Sequence, residues 1–302
     1  MKTGRLGRKT IGVMNHTVNL TVLIIIMLLI AYAGYALWDS YHIHQAADKS
    51  HYAIYKPSAE NEGKTFLELQ VLNAEVIAWL SVYGTNIDYP VTQGPSNMKY
   101  VDTNAEGQYS LSGAIFLDCN NSKKFDDFNS ILYGHHMAKK MMFGEIGNFS
   151  DKTVFDSHRY GNLYYDGEDH GIEFFAFLHA DAYDLSVFTP GVSEKDRPAY
   201  LDNLFAKAMY SRDIDVAIED QLILLSTCSS GSTNGRDILI GRISDKIYGD
   251  PDLNRQTNDG KNQADNRGGL VKEVQLLNVV LSVLLIVLII VIYHRHKNRK
   301  RS

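Results

Sequence analysis

A cysteine at the end of an apolar run is the first residue in this sequence that could act as a nucleophile. Cys228 follows the apolar residues 222–225 and the pair Ser226-Thr227, so we expect it at the end of a buried strand with its thiol facing a cleft. Asn234-Gly235 favours a tight turn, and Arg236 then begins a second strand. Because hairpin strands pair antiparallel, Arg236 should lie close to Cys228 and stabilise a thiolate or a developing oxyanion. The pattern also fits a buried thiol beside an ordinary strand-end arginine.

Two adjacent histidines are the candidate acid and base. His135 and His136 follow the strand-like residues 129–133 through Gly134, which places an imidazole at a strand end. Adjacent side chains of an extended chain point to opposite faces, so only one of the pair should face a given site. A cysteine with a histidine provides the nucleophile and the proton carrier of acyl transfer.

The second cysteine, Cys119, leaves two other uses for the thiols open. A single Cys119–Cys228 disulfide is one of them, and a zinc site shared with the histidines is the other. No Cys-x-x-Cys or His-x-x-x-His spacing supports zinc, so we predict no metal and no cofactor.

The elements that position these residues are mostly short strands. Runs rich in Ile, Leu, Phe and Tyr, bounded by Gly, Asn and Asp, occur at residues 87–91, 113–117, 130–133, 172–179, 185–188, 221–226 and 237–243. Thr65 and Glu68 are spaced as a capping box for a helix that apolar spacing extends through Ile77 and Leu80. Further helices are predicted at 141–149 and 198–210. Many short strands with few helices indicate a β-barrel or a β-sandwich.

Two apolar blocks flank this strand-rich body. Residues 20–38 and 276–293 contain no charged residue, and each is long enough to cross ~30 Å of hydrocarbon as a helix. The tails 1–19 and 294–302 hold nine Lys and Arg residues and no acid, which leaves 21 basic against 35 acidic residues between them. Basic flanks stay in the cytoplasm, so we expect both termini inside and the body outside. A body of net charge −14 argues against a nucleic-acid partner.

The first apolar block also has an interpretation as a cleaved signal peptide. Ala31-Tyr32-Ala33 is typical of a cleavage site after a basic start and an apolar run. The run continues through Trp38, however, and this extension favours an uncleaved anchor.

Three segments taken together resemble the sortase family. Residues 224–228 resemble the sortase signature Thr-Leu-x-Thr-Cys, with Leu224 where Thr is usual. Residues 131–137 resemble the histidine segment in the form typical of class B sortases, and residues 236–242 resemble the arginine segment. The order His, Cys, Arg is the family order, and the likeness covers roughly residues 65–245.

The resemblance implies a mostly β fold and a set of site residues. The fold is an eight-stranded β-barrel with an N-terminal helical addition. Cys228 is the nucleophile, His135 the acid and base, and Arg236 the group that positions substrate and stabilises the oxyanion. Arg242 is the alternative arginine, but six residues of extended chain, ~20 Å, should hold it too far from the cysteine. The residues implied to contact substrate are Asn97, Val101, Ser226 and Thr227.

The resemblance also implies a reaction and its partners. The enzyme is a cysteine transpeptidase that cleaves a C-terminal sorting motif of a secreted surface protein after Thr, through a thioester. The motif is of the Asn-Pro-x-Thr-x or Leu-Pro-x-Thr-Gly kind. The acceptor is a peptidoglycan cross-bridge amine. A pilin lysine is the alternative acceptor, because a membrane segment at each end of the chain resembles the arrangement in pilin-polymerising sortases. A hydrolytic cysteine protease and a non-catalytic surface binding module are the remaining alternatives.

The expected domain order follows from these segments. It is a cytoplasmic tail at 1–19, a transmembrane anchor at 20–38, a linker at 39–64, an extracellular catalytic domain at 65–247, a polar tether at 248–275, a second transmembrane helix at 276–293 and a cytoplasmic tail at 294–302. The bilayer is therefore a predicted partner on a Gram-positive cell surface.

Overall fold

The computed structural model describes residues 3–57, 65–229 and 233–250, and these contain five α-helices and nine strands. The helices are Thr3–Ala47 (α1), Lys49–Tyr52 (α2), Phe66–Leu72 (α3), Lys152–Ser157 (α4) and Arg197–Lys207 (α5). The strands are Val76–Val82 (β1), Asp88–Thr92 (β2), Ile115–Leu117 (β3), Asn129–Tyr133 (β4), Tyr160–Tyr165 (β5), Glu168–Asp181 (β6), Tyr210–Ser211 (β7), Gln221–Cys228 (β8) and Gly235–Ser244 (β9).

Eight of these strands close into a barrel, as expected. The order around the sheet is β5-β1-β2-β3-β4-β8-β9-β6, and β6 pairs again with β5 to complete the ring. The two-residue β7 pairs only with β6, beside the ring. The β2–β3 and β4–β8 pairs are parallel, whereas the other pairs are antiparallel.

The strands β8 and β9 are buried on both faces, which explains their continuous apolar runs. Ile223, Leu225 and Leu239 belong to the large core cluster that includes Trp79. The alternate residues, such as Leu222, join a second cluster that contains residues of α5. Burial on both faces holds the central strands rigidly, so the residues at their ends are positioned by the core.

The N-terminal helix α1 contains the only stretch in the described residues that is long and apolar enough to cross a membrane. It continues to Ala47, and α2 follows, so residues 39–52 of the predicted linker are helical apart from Asp48. Ala47 is buried, and its carbonyl accepts a hydrogen bond from the Tyr89 hydroxyl at 2.9 Å. The predicted second membrane helix, and the tether beyond residue 250, lie outside the described residues.

Two local helix signals are confirmed. Thr65 and Glu68 form the predicted capping box at the start of α3. The helix predicted at 198–210 is α5, with Pro198 in its first turn, where a missing N–H costs nothing.

Three local predictions are wrong. Ile77 and Leu80 lie in β1 rather than in α3, because β1 is buried on both sides and lacks the alternation that marks a strand. Residues 185–188 form a turn, since the amides of Val187 and Phe188 both bond the carbonyl of Asp184. Of residues 141–149, only the last few belong to a short 3-10 helix, Ile146–Ser150.

Candidate active site

The thiol of Cys228 lies at the end of β8, opposite the arginine that starts the returning strand. The antiparallel register of β8 and β9 pairs Cys228 directly with Arg236. Both cysteines of the chain are free thiols; Cys228 is exposed, whereas the two residues before it are buried. The strand end therefore presents an exposed, free cysteine directly opposite an arginine in the strand register.

His135 approaches the same point from the other neighbour of β8. In the parallel β4–β8 pair Tyr133 lies opposite Ser226, and the Gly134 N–H donates to the Ser226 carbonyl at 3.2 Å. The ladder ends there, and His135 follows Tyr133 by two residues, as Cys228 follows Ser226 by two. Because β8 lies between β4 and β9, the cysteine occupies the middle strand, with the histidine on one side and the arginine on the other.

The imidazole of His135 is held by a backbone carbonyl. Its Nε2 lies 2.7 Å from the carbonyl oxygen of Val101. A carbonyl only accepts hydrogen bonds, so Nε2 carries the hydrogen and the neutral ring has its lone pair on Nδ1. Val101 thus enters the site through its main chain, a contribution that its side-chain type could not reveal.

Gly113 is a part of this arrangement that the sequence did not single out. Its φ is +59°, and a β-carbon there would lie 2.5 Å from the Tyr100 oxygen, 2.7 Å from the Val101 oxygen and 3.1 Å from Cδ2 of His135. Only a residue without a side chain lets the Val101 carbonyl and the His135 ring approach as they do. The sequence places Gly113 at the start of the predicted strand 113–117, and a glycine at a strand start is the one sign there of an unusual backbone conformation.

Asn97 is fixed in a polar network that reaches β4. Its amide nitrogen donates to Asp118 at 2.8 Å, and its amide oxygen accepts from the Cys119 N–H at 2.7 Å. The same Asp118 oxygen accepts from the Tyr133 hydroxyl at 3.1 Å. Burial, followed by the charge of Asp118, raises the pKa of Tyr133 above its ordinary value, so this hydroxyl stays a donor.

Ser226 and Thr227 are buried beside the cysteine and face opposite ways. Ser226 shares the face of Cys228, two residues away, whereas Thr227 points to the other face and pairs in register with Asp237. Neither hydroxyl has a hydrogen-bond partner among the residues that the structure describes. The geometry therefore places Ser226, rather than Thr227, on the side of the thiol.

The alternative arginine, Arg242, is engaged elsewhere. It lies opposite Leu222 at the far end of the β8–β9 pair and forms ion pairs with Glu173 at 3.0 Å and Asp220 at 3.5 Å. Burial alone would raise the pKa of Glu173, but hydrogen bonds and charges from Arg159 and Arg242 lower it. These ion pairs stabilise the end of the barrel that is remote from the thiol.

Comparison with known proteins decides the family. No protein-family model matches the chain. The crystal structure of sortase B from the type II pilus of Streptococcus pneumoniae is 47% identical, with a TM-score of 0.53 over 59% of this chain and 98% of that one. A Streptococcus pyogenes class B sortase involved in pilus biogenesis is 39% identical, with a TM-score of 0.55 over 59% and 97%. Sortase B of Staphylococcus aureus is 25% identical over 235 residues, 74% of this chain and 95% of its own length.

The chain belongs to the class B sortases. The family predicted from the three short sequence segments is thereby confirmed. The class of activity is confirmed with it, because class B sortases are cysteine transpeptidases. The eight-stranded barrel of this sortase agrees with the family fold. The apolar helix α1 agrees with a membrane anchor on a cell-surface enzyme.

Proposed function

We propose that Cys228 is the nucleophile that forms the acyl-enzyme. The observation that carries this role is an exposed, free thiol on the middle strand, in register with an arginine. The thiolate attacks the carbonyl of the Thr in a C-terminal sorting motif of a secreted surface protein. The C–S bond forms, the peptide C–N bond breaks, and the amine leaves with a proton.

His135 and Arg236 complete the reaction in this proposal. His135 protonates the leaving amine and later deprotonates the incoming one, a role that its strand-end position beside the cysteine supports. Arg236 positions the scissile carbonyl and stabilises the oxyanion, because its planar guanidinium donates two hydrogen bonds at once. No cofactor or metal takes part.

The substrate groove is proposed on the side of the barrel that carries the thiol. Val101 borders it through the carbonyl that holds His135, and Asn97 borders it from the network with Asp118 and Tyr133. Ser226 lies on the strand floor beside the cysteine, and Thr227 contributes its main chain there. An Asn-Pro-x-Thr-x motif is the proposed donor peptide, with Leu-Pro-x-Thr-Gly as the competing motif.

The accepting amine is proposed to come from a peptidoglycan cross-bridge. A pilin lysine is the second candidate, and one observation favours it: two relatives with 47% and 39% identity are pilus sortases. Both acceptors are primary amines, so the same attack on the thioester serves either assembly.

The proposed topology places the catalytic domain, 65–247, outside the cell and both termini in the cytoplasm. Residues 20–38 span the membrane within α1, and 39–64 link them to the barrel. The segments 248–275, 276–293 and 294–302 serve as tether, second membrane helix and cytoplasmic tail. The support is the charge asymmetry of the tails, since basic residues stay on the cytoplasmic side.

One experiment tests the reaction and separates the acceptors. The detergent-solubilised full chain is incubated with peptides of both motifs, and intact mass spectrometry follows the protein. We expect an adduct on Cys228 of the mass of the peptide up to its Thr. Added triglycine and Nα-acetyl-lysine amide then compete for it, and the preferred amide product names the acceptor class. Acid product alone at saturating amine would identify a protease instead.

A further inference from the structure

A polar cavity lies behind the three strand ends that carry Cys228, His135 and Arg236. Its volume is about 450 Å³, within the range of small-ligand sites. The described residues that line it include His136, Asn148, Ser150, His179, Ser229 and Asp237.

Three of these lining residues are the direct chain neighbours of the proposed catalytic residues. His136 follows His135, Ser229 follows Cys228, and Asp237 follows Arg236. Adjacent side chains of extended chain point to opposite faces. The cavity therefore shares the strand ends with the thiol but opens on their other side.

The cavity contains a carboxylate that is coupled to an imidazole. His179 Nδ1 lies 2.6 Å from Oδ1 of Asp237, a residue that is 4% exposed. A carboxylate only accepts hydrogen bonds, so Nδ1 carries the hydrogen and the neutral ring has its lone pair on Nε2. The other carboxylate oxygen lies against Gly147, where a β-carbon would approach it to 2.8 Å. The site thus combines a negative charge with a basic nitrogen that is oriented by that charge.

We propose that this cavity binds the primary ammonium group of the acceptor substrate. The inference rests on the proposed transpeptidation and deepens it. An ammonium group has three donors and no acceptor. Asp237 offers it a negative charge, and the side-chain oxygens of Asn148, Ser150 and Ser229 offer further acceptors. An anionic ligand would instead meet the nearly buried carboxylate of Asp237.

The position of the cavity also completes the proton balance of aminolysis. An ammonium nitrogen loses two protons when it becomes an amide nitrogen. His179 Nε2 accepts the first and passes it to water, since its side chain is 46% exposed. The free amine then attacks the thioester, the C–N bond forms, the C–S bond breaks, and Cys228 leaves as the thiolate. His135 takes the second proton, and the imidazole thereby regains the proton that it gave to the leaving amine during acylation.

Charge substitutions at Ser150 test the binding step. Ser150 is exposed at the edge of the cavity, and its hydroxyl bonds only the nearby Gly147 carbonyl among the described residues, so we expect Ser150→Lys and Ser150→Glu to fold. The amine KM of the full chain is measured with Nα-acetyl-lysine amide and with triglycine. Ser150→Lys should raise it about fivefold, and Ser150→Glu should lower it, with smaller changes in the rate of acylation by the sorting peptide.

Matched variants at Ser244 control for net charge. Ser244 lies at the opposite end of β9, seven residues and roughly 23 Å of strand from Asp237. Ser244→Lys and Ser244→Glu should leave the amine KM within twofold of its original value. Equal shifts at the two serines would overturn the site. The amine whose KM changes more with the charge at residue 150 is the better model of the natural acceptor. A larger change for Nα-acetyl-lysine amide indicates a lysine side chain, and a larger change for triglycine indicates a peptide amine.

A binding measurement tests the cavity without any thioester. Nα-acetyl-lysine amide is titrated into the unacylated full chain while the ring resonances of His179 are followed by NMR. We expect saturable shifts that are lost in Ser150→Lys and retained in Ser244→Lys. Saturable binding without acylation would support the cavity and refute the proposed function. Acylation without saturable shifts at His179 would refute the cavity and leave the proposed function standing.

Discussion

Replacing Gly113 by alanine should slow the enzyme strongly while leaving it folded. Gly113 packs its backbone against the Tyr100 and Val101 carbonyls and against the His135 ring. An alanine β-carbon would lie 2.5 Å and 2.7 Å from the two carbonyl oxygens, well inside contact distance. One of those oxygens holds Nε2 of His135 at 2.7 Å, so the imidazole must move when the carbonyl does.

The magnitude follows from these distances. An L-residue in the left-handed region costs about 1–2 kcal/mol, and relief of two contacts needs a backbone shift of roughly 0.5–1 Å. Domains have about 5–15 kcal/mol of stability, so most molecules stay folded. Catalytic groups misplaced by about 1 Å lose about 10²-fold in rate. We therefore expect Gly113→Ala to lower kcat by about 10–100-fold and Tm by several degrees.

Gly107→Ala is the matched control. Gly107 also has a positive φ, +82°, but a β-carbon there meets Asn73 at the ordinary contact distance of 3.8 Å. It should lose similar backbone stability and keep kcat. The assay is thioester formation with a saturating sorting peptide, alongside thermal unfolding of both variants. Equal kcat in Gly113→Ala and Gly107→Ala would refute the claim that the glycine sets the position of His135.

Three further outcomes follow from the same geometry. Cys228→Ala should abolish acyl transfer and Cys119→Ala should keep most of it; equal losses would indicate a shared role for the two thiols. Arg236→Lys should lower kcat by about 10²-fold with little change in KM, because lysine cannot supply the two-pronged hydrogen bond; a KM effect alone would mean that the arginine only holds the peptide. Arg242→Gln should keep kcat but weaken stability at neutral pH. Because the folded protein lowers the pKa of Glu173, this carboxylate stabilises the fold above its ordinary pKa, and that stability is lost as the pH falls through its pKa in the folded protein. Urea unfolding between about pH 7 and about pH 3 should therefore show a smaller decrease in the free energy of unfolding in this variant.

The pairing of Cys228 with Arg236 could be predicted from the sequence because it is local. A continuous apolar run marks a buried strand, and Asn-Gly followed by a second apolar run marks the return. The register of the two strands then places their adjoining ends together. The place of His135 is different, since β4 and β8 are parallel and about ninety residues apart, and no local rule joins them. The position of His135 beside the cysteine strand was predictable only from the resemblance of three separate segments to one family.

The features that the sequence did not reveal are contacts of the main chain and strands without alternation. The family resemblance implies that Val101 lies in a substrate groove, yet the contact that the structure gives it is made by its carbonyl, a group that every residue type possesses. Gly113 matters because it has no β-carbon, and the atoms that a β-carbon there would meet belong to residues that are distant in sequence. In β1 both faces are buried, so the two-residue period of apolar and polar residues is absent and the apolar spacing predicts a helix instead.

Alternation along a strand has a further consequence for an enzyme with two substrates. At three neighbouring strand ends, one residue faces the thiol side and the next residue faces the cavity with His179 and Asp237. If the sorting peptide occupies the first side and the acceptor amine the second, the two substrates need not compete for the same surface. The acceptor then approaches the thioester around the strand ends, where the backbone no longer separates the two faces. This arrangement predicts that amine affinity and peptide affinity vary independently, which the Ser150 variants measure directly.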